Sequence, residues 1–160
     1  MFNKNDKSAK ERENSARAQM AARPSELNIG MLMPEAKEVI THYLLAIFSM
    51  DADLLPMKKM GEGIYNTIGN RILTENRSLY RREVYELEIT NISPMDYENE
   101  FTHISKISYE VSYHITGTQI SPDEIIPFSF KRDASYVFTY DQRLGWILTE
   151  CLKDVTLDEF

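Results

Sequence analysis

Lys106-Ile107-Ser108-Tyr109-Glu110-Val111-Ser112-Tyr113-His114-Ile115-Thr116 alternates apolar and polar residues without a break. A period of two places every apolar residue on one face of a β-strand, so this stretch predicts a long strand with one dry side. Working outward, Phe128, Phe130 and Arg132, followed by Ala134, Tyr136, Phe138 and Tyr140, predict a second strand of the same kind. The turn Asp141-Gln142-Arg143-Leu144-Gly145 joins it to a last strand, Trp146 to Lys153, as a hairpin. Upstream, Tyr85, Leu87 and Ile89 alternate with Glu86, Glu88 and Thr90 and predict a shorter strand whose dry face carries Tyr85. Gly117 is expected to end the central strand, Thr118 to Pro127 to form a loop, and the polar Arg132-Asp133 pair to mark a bulge.

Before the strands the period changes to 3.6. Ala36, Val39, Ile40, Tyr43, Leu44, Ile47 and Phe48 form one apolar helical stripe, with Pro34 suited to the first helical position, where its missing N–H costs nothing. The stripe ends near Ser49, and Asp51 or Asp53 is placed to cap the next helical segment. Pro56 opens a second helical pattern through Met57, Met60, Ile64, Ile68 and Ile72, interrupted by Gly61, Gly63 and Gly69, which predicts a broken helix or a close helix contact. The expected fold class is α+β, with N-terminal helices packed on a curved four-stranded antiparallel sheet. Residues 1–33 read as a polar, partly mobile tail and connector, 34–153 as a single domain, and 154–160 as an acidic tail.

Composition narrows the function. A hydrophobic share of 42% supports a packed core, and 27% charged residues supports a soluble surface. The net charge of −7 opposes a nucleic-acid partner, which demands a concentrated positive field. Charge is uneven, net +3 over residues 1–23 and −10 over the rest, so the tail could make peripheral contact with a membrane or an acidic surface. The most apolar stretch, Val39 to Phe48, is far shorter than the roughly 20 residues of a membrane span. No apolar region follows the basic residues at the start, and the expected location is cytoplasmic.

Candidate chemistry is sparse. Cys151 has no partner for a disulfide and reads as a small buried hydrophobe. His42, His103 and His114 are too scattered to predict a metal site, and no cofactor motif is present; Gly61-Glu62-Gly63 lacks the strand before it and the Lys-Ser/Thr after it that a phosphate loop requires. Methionines concentrate between the connector and the second helical pattern, among them Met57 and Met60, and such flexible side chains serve either as core filler or as adaptable contacts. Glu83, Glu86 and Glu88, with Asp96, Glu98 and Glu100 in an expected loop, make an acidic edge that repels other strands or receives a basic partner. Arg81 and Arg82 beside Tyr80 are too few for RNA binding and are read as contacts to protein.

The helical stripe from Val39 to Phe48, the Ile107–Ile115 alternation, and Tyr136-Val137-Phe138-Thr139-Tyr140 running through the turn to Gly145-Trp146-Ile147-Leu148 together resemble the nuclear-transport-factor-2-like superfamily of cone-shaped α+β folds. The order of elements is similar to two of its branches, the type IV secretion assembly factors and the membrane-docking domain of the mitochondrial inner-membrane translocase. The chain departs from the first in lacking a membrane anchor and an Asn-Pro-x-Gly motif. This resemblance implies a non-enzymatic scaffold of a larger, membrane-associated assembly, with protein partners and room for a homo-oligomer. It also implies an alternative, because enzymes of the superfamily (isomerases and dehydratases) set an acid/base residue and a tyrosine inside the cone. Asp133 as base, Tyr109 or Tyr113 as donor and His103 as helper are the residues available for that role.

Overall fold

A computed structural model describes residues 29–75, 81–100 and 103–153. Residues 1–28 of the expected tail and connector (1–33) and the acidic segment 154–160 lie outside them, while 29–33 belong to the first helix. Helix α1 (Ile29–Ser49) is followed by 3-10 turns at Ala52–Leu54 and Met57–Lys59, helix α2 (Glu62–Glu75), and strands β1 (Arg81–Glu100), β2 (His103–Ile120), β3 (Ile125–Asp141) and β4 (Gly145–Lys153). The strands form one antiparallel sheet in the order β1-β2-β3-β4, and the two helices pack against it. The α+β class holds.

α1 begins five residues before Pro34, which therefore sits inside the helix rather than at its start. The stripe from Ala36 to Phe48 is buried as its spacing requires, and Leu32 extends it by one turn. The helix ends in a Schellman arrangement: Met50 N–H donates to the Ile47 carbonyl and Asp51 N–H to that of Ala46, with Met50 in the left-handed region at φ 56°. Asp51 then caps the first 3-10 turn by accepting from Asp53 N–H at 3.0 Å. The second helical pattern is broken, as the glycines predict. Two short turns precede α2, and at the break Gly61 N–H donates to the Leu148 carbonyl at 2.8 Å, fastening Met60 beside β4 as a one-residue parallel bridge.

The central alternation is the spine of the core. Ile107, Tyr109, Val111, Tyr113 and Ile115 are all buried on the face covered by α1, and Phe138, Tyr136, Ala134 and Phe130 continue that face across β3. Edge-to-face contacts tie helix to sheet at Tyr43–Tyr136 (5.8 Å) and Phe48–Tyr113 (6.1 Å). Each such buried aromatic contributes about 1.5–3 kcal/mol of transfer free energy, so this layer dominates the stability.

Several strand expectations need correction. The β2–β3 register runs without a shift from Lys106↔Thr139 to Ile120↔Ile125, so Arg132-Asp133 is no bulge. Gly117 lies within β2 rather than ending it, and the expected loop shrinks to a turn between Ile120 and Ile125. β1 runs to Glu100, so Asp96, Glu98 and Glu100 belong to a strand. Its pairing with β2 shifts between Val84 and Glu86, Ile89 and Asn91, Pro94 and Asp96, and Glu98 and Asn99. Each of the first three shifts adds a residue, so the inward side chains Val84, Leu87, Ile89, Ile92, Pro94 and Tyr97 are spaced alternately by three and two. The first shift also turns Tyr85 outward, where it is 67% exposed rather than on the dry face.

Candidate functional site

An acid/base site inside the sheet requires its residues to converge, and the period of two prevents that here. Tyr109 and Tyr113 point inward and are 0% and 1% exposed. Asp133 pairs with Ser112, on the opposite face, where Ser112 Oγ donates to its carboxylate at 2.8 Å beside solvent. His103 opens β2 opposite Glu100, six residues and about 20 Å of strand from Tyr109. The four residues are not brought together. The interior where a ligand would sit is filled: Phe138 and Trp146 are 1% and 2% exposed and pack among the tyrosines, with Tyr109–Phe138 at 5.9 Å and Tyr140–Trp146 at 5.5 Å.

The residues singled out for contact fall at two ends of the sheet. Arg81, Arg82, Glu86 and Glu88 lie on β1. Glu86 and Glu88 are exposed on the outer face; Arg81 is exposed and reaches Glu83 at 3.4 Å. Arg82 is instead buried on the inner face, with its Nε donating to Gln119 Oε1 at 3.2 Å. Met57 and Met60 lie beside β4, three strand spacings or about 14 Å across the sheet. Met57 is 57% exposed, whereas Met60 is buried in the bridge to Leu148. Met50 is also buried and Met33 packs on the core, so three of the described methionines fill gaps.

What sequence reading did not find is the region around β4. Between α2 and the outer edge of β4 lies an open groove of about 500 Å³, walled by Ile64 and Ile68 on the helix and by residues 149–152 on the strand. Tyr43 forms part of its floor, and Cys151 Sγ donates to the Tyr43 hydroxyl at 3.2 Å. Cys151 is thus half-buried and hydrogen-bonded. On the outer face a second hollow of about 180 Å³ is bounded by Asp96, Glu98 and Glu150, with Lys106 and Val137. Both hollows share Glu150 and Leu152. The apolar spacing Ile64, Ile68, Ile72 was visible in the sequence, but only the break at Gly61 and the bridge to Leu148 set this helix beside the sheet edge.

His114 Nε2 lies 3.1 Å from Ser129 Oγ on the outer face, and among the described residues no three His, Cys, Asp or Glu side chains converge as a metal site. Among them, too, no helix is long and apolar enough to cross a membrane. Among the described residues, Asp141 is a perturbed carboxylate. It accepts from the backbone N–H groups of Arg143 (2.8 Å) and Leu144 (2.9 Å), which hold its pKa below the ordinary value and close the β3–β4 turn.

No family model matches the chain, and no curated protein does. Among solved structures the chain is similar to the intermembrane space region of the chloroplast protein ARC6, with a TM-score of 0.53 and 11% identity. The match covers 76% of this chain and 96% of that one. At that identity the likeness is one of fold.

Proposed function

We propose that this domain is a non-enzymatic protein–protein interaction module, a scaffold within a larger, membrane-associated assembly of the secretion or translocation type, on a fold of the nuclear-transport-factor-2-like kind. The observation that carries the reading is the full interior. Tyr109, Tyr113, Phe138 and Trp146 occupy the space a substrate would need, while Asp133 stands outside the sheet. Recognition is then left to surfaces, and the groove beside β4 and the acidic outer face of β1 are the ones with distinctive shape or charge. The fold of the ARC6 region, from the space between two membranes, is in keeping with a membrane-associated setting. The single cysteine, Cys151, kept as a thiol, fits a reducing, cytoplasmic compartment, with the chain before α1 and after β4 as tails.

Cross-linking of the full chain in its own cells, followed by purification, tests this. The expected result is a defined protein complex that survives Tyr109→Phe and Asp133→Asn together. Recovery of the chain as a lone monomer under every cross-linking condition sinks the reading.

A further inference from the structure

We infer that the outer edge of β4 from Thr149 to Leu152 docks an extended segment of a partner protein in which apolar and basic residues alternate. This deepens the scaffold reading and rests on it.

β4 is an end strand of the sheet. At Leu148 its outer edge already accepts a neighbour, the Gly61 N–H, in parallel bridging geometry. Immediately afterwards the chain turns into α2, so from Thr149 onward no strand lies alongside among the described residues. The opposite edge, β1, is guarded by four register shifts, Pro94 and a row of carboxylates. β4 has no proline, and the two residues inserted in its ladder with β3, Thr149 and Leu152, follow the Leu148 bridge and lie within the proposed contact.

The two hollows specify what an added strand would carry. A strand laid on this edge presents successive side chains to opposite faces of the sheet. On the helix side they enter the groove walled by Ile64 and Ile68, beside Gly63, where an added Cβ meets no atom within 4 Å. On the other side they meet Glu150, at the near rim of the outer hollow, whose far rim, Glu98 and Asp96, lies across the sheet on β1. Apolar residues suit the first and lysine or arginine the second. The edge between residues 149 and 152 accommodates about four residues of partner backbone at most.

The test uses the full chain and a labelled ten-residue peptide alternating valine and lysine, with a peptide of identical composition in two blocks as control. Binding is read by fluorescence anisotropy and mapped by amide chemical shifts. The expected result is at least tenfold tighter binding of the alternating peptide, with shifts confined to residues 61–68 and 148–153. Gly63→Leu, which fills the groove from an open position, and Glu150→Lys, on the exposed outer face, each weaken it about tenfold while leaving the melting curve intact. Equal binding of the two peptides, shifts confined to β1, or indifference to Gly63→Leu overturns the proposal. So does self-association that Gly63→Leu abolishes, because the occupant is then a second copy. A cellular cross-linked complex that persists in Gly63→Leu and Glu150→Lys leaves the scaffold reading standing and removes this edge as its contact. Loss of every complex with the peptide result intact removes the scaffold reading alone.

Discussion

At the residue scale, two glycines do opposite work. Gly145 closes the β3–β4 turn with φ +80°, in open space, so only backbone conformation demands glycine there. Gly117 is held by its neighbours: an added Cβ would meet the Glu83 carbonyl oxygen and lie 2.7 Å from the Phe128 ring. Gly145→Ala should therefore cost about 1 kcal/mol, mostly recovered by Gly145→Asn, which tolerates the left-handed region. Gly117→Ala should cost about 3 kcal/mol, because backbone must move. Chemical denaturation of the three variants checks the order, and an equal cost for the two alanines would contradict it. Gly145 reads from the sequence as the end of the hairpin turn, whereas Gly117 reads as a strand end; the backbone approach of β1 arises only once the sheet is assembled. Asp141 gives a pH prediction. Its carboxylate is held low by the Arg143 N–H, then the Leu144 N–H, with the Arg143 charge assisting against a small opposing effect of burial. A depressed folded value means the turn's stabilisation is fully present above the unfolded pKa, near about 3.9. It is lost as pH falls through the lower, folded value. The Arg143 and Leu144 amide shifts should report that midpoint, and a midpoint in the ordinary carboxylate range would sink the assignment.

At the element scale, strands with an unbroken ladder were readable and strands with bulges were not. β2 and β3 keep strict alternation through an unshifted register, and their inward residues were identified from spacing. β1 carries the same kind of inward row, Val84 to Tyr97, but its inserted residues convert the period of two into threes and twos. A window seeking either helix or strand finds neither, so the polar half reads as loop. The start of α1 was hidden for a different reason: Pro34 imitates a first helical residue, while the turn before it has no apolar stripe long enough to declare itself. The break before α2 was predictable from its glycines, but its purpose was not. Gly61 N–H is the donor that anchors α2 to β4, and Met60 before it has φ −124° and ψ 146°, a conformation compatible with a following proline. Gly61→Pro leaves Met60 unstrained but deletes that donor and sets its ring Cδ against the Leu148 oxygen, so the bridge must open. It should cost about 3 kcal/mol and loosen α2, whereas Gly61→Ala, with Thr149 Cγ2 at 3.4 Å, should cost less than about 1 kcal/mol. Amide exchange along α2 separates the two, and equal protection in both variants would show that the bridge does not hold the helix.

At the scale of the whole molecule, a half-covered sheet has to keep its two edges and outer face from pairing with other sheets. The helices bury one face, leaving the outer face and the long β1 edge to side-chain chemistry. β1 spans 20 residues, several times the length of an ordinary strand, and an exposed edge of that length invites association. Its shifts bend the ladder, Pro94 lacks a donor, and Glu83, Glu86 and Glu88 place charge beside the exposed Tyr85. Replacing Glu86 and Glu88 together by valine removes the charge and extends an apolar strip from Tyr85 over residues with high strand propensity. The fold itself should survive, since both positions are exposed and the inner face is untouched, so the melting temperature should change little. What should change is colloidal behaviour: light scattering should show concentration-dependent assembly of the valine variant where the parent chain shows less. Glu86→Lys with Glu88→Lys should restore the parent's behaviour, because charge of either sign opposes edge pairing. If the lysine variant assembles as the valine variant does, the acidic row is there to be recognised rather than to repel, and β1 becomes a second contact surface beside β4.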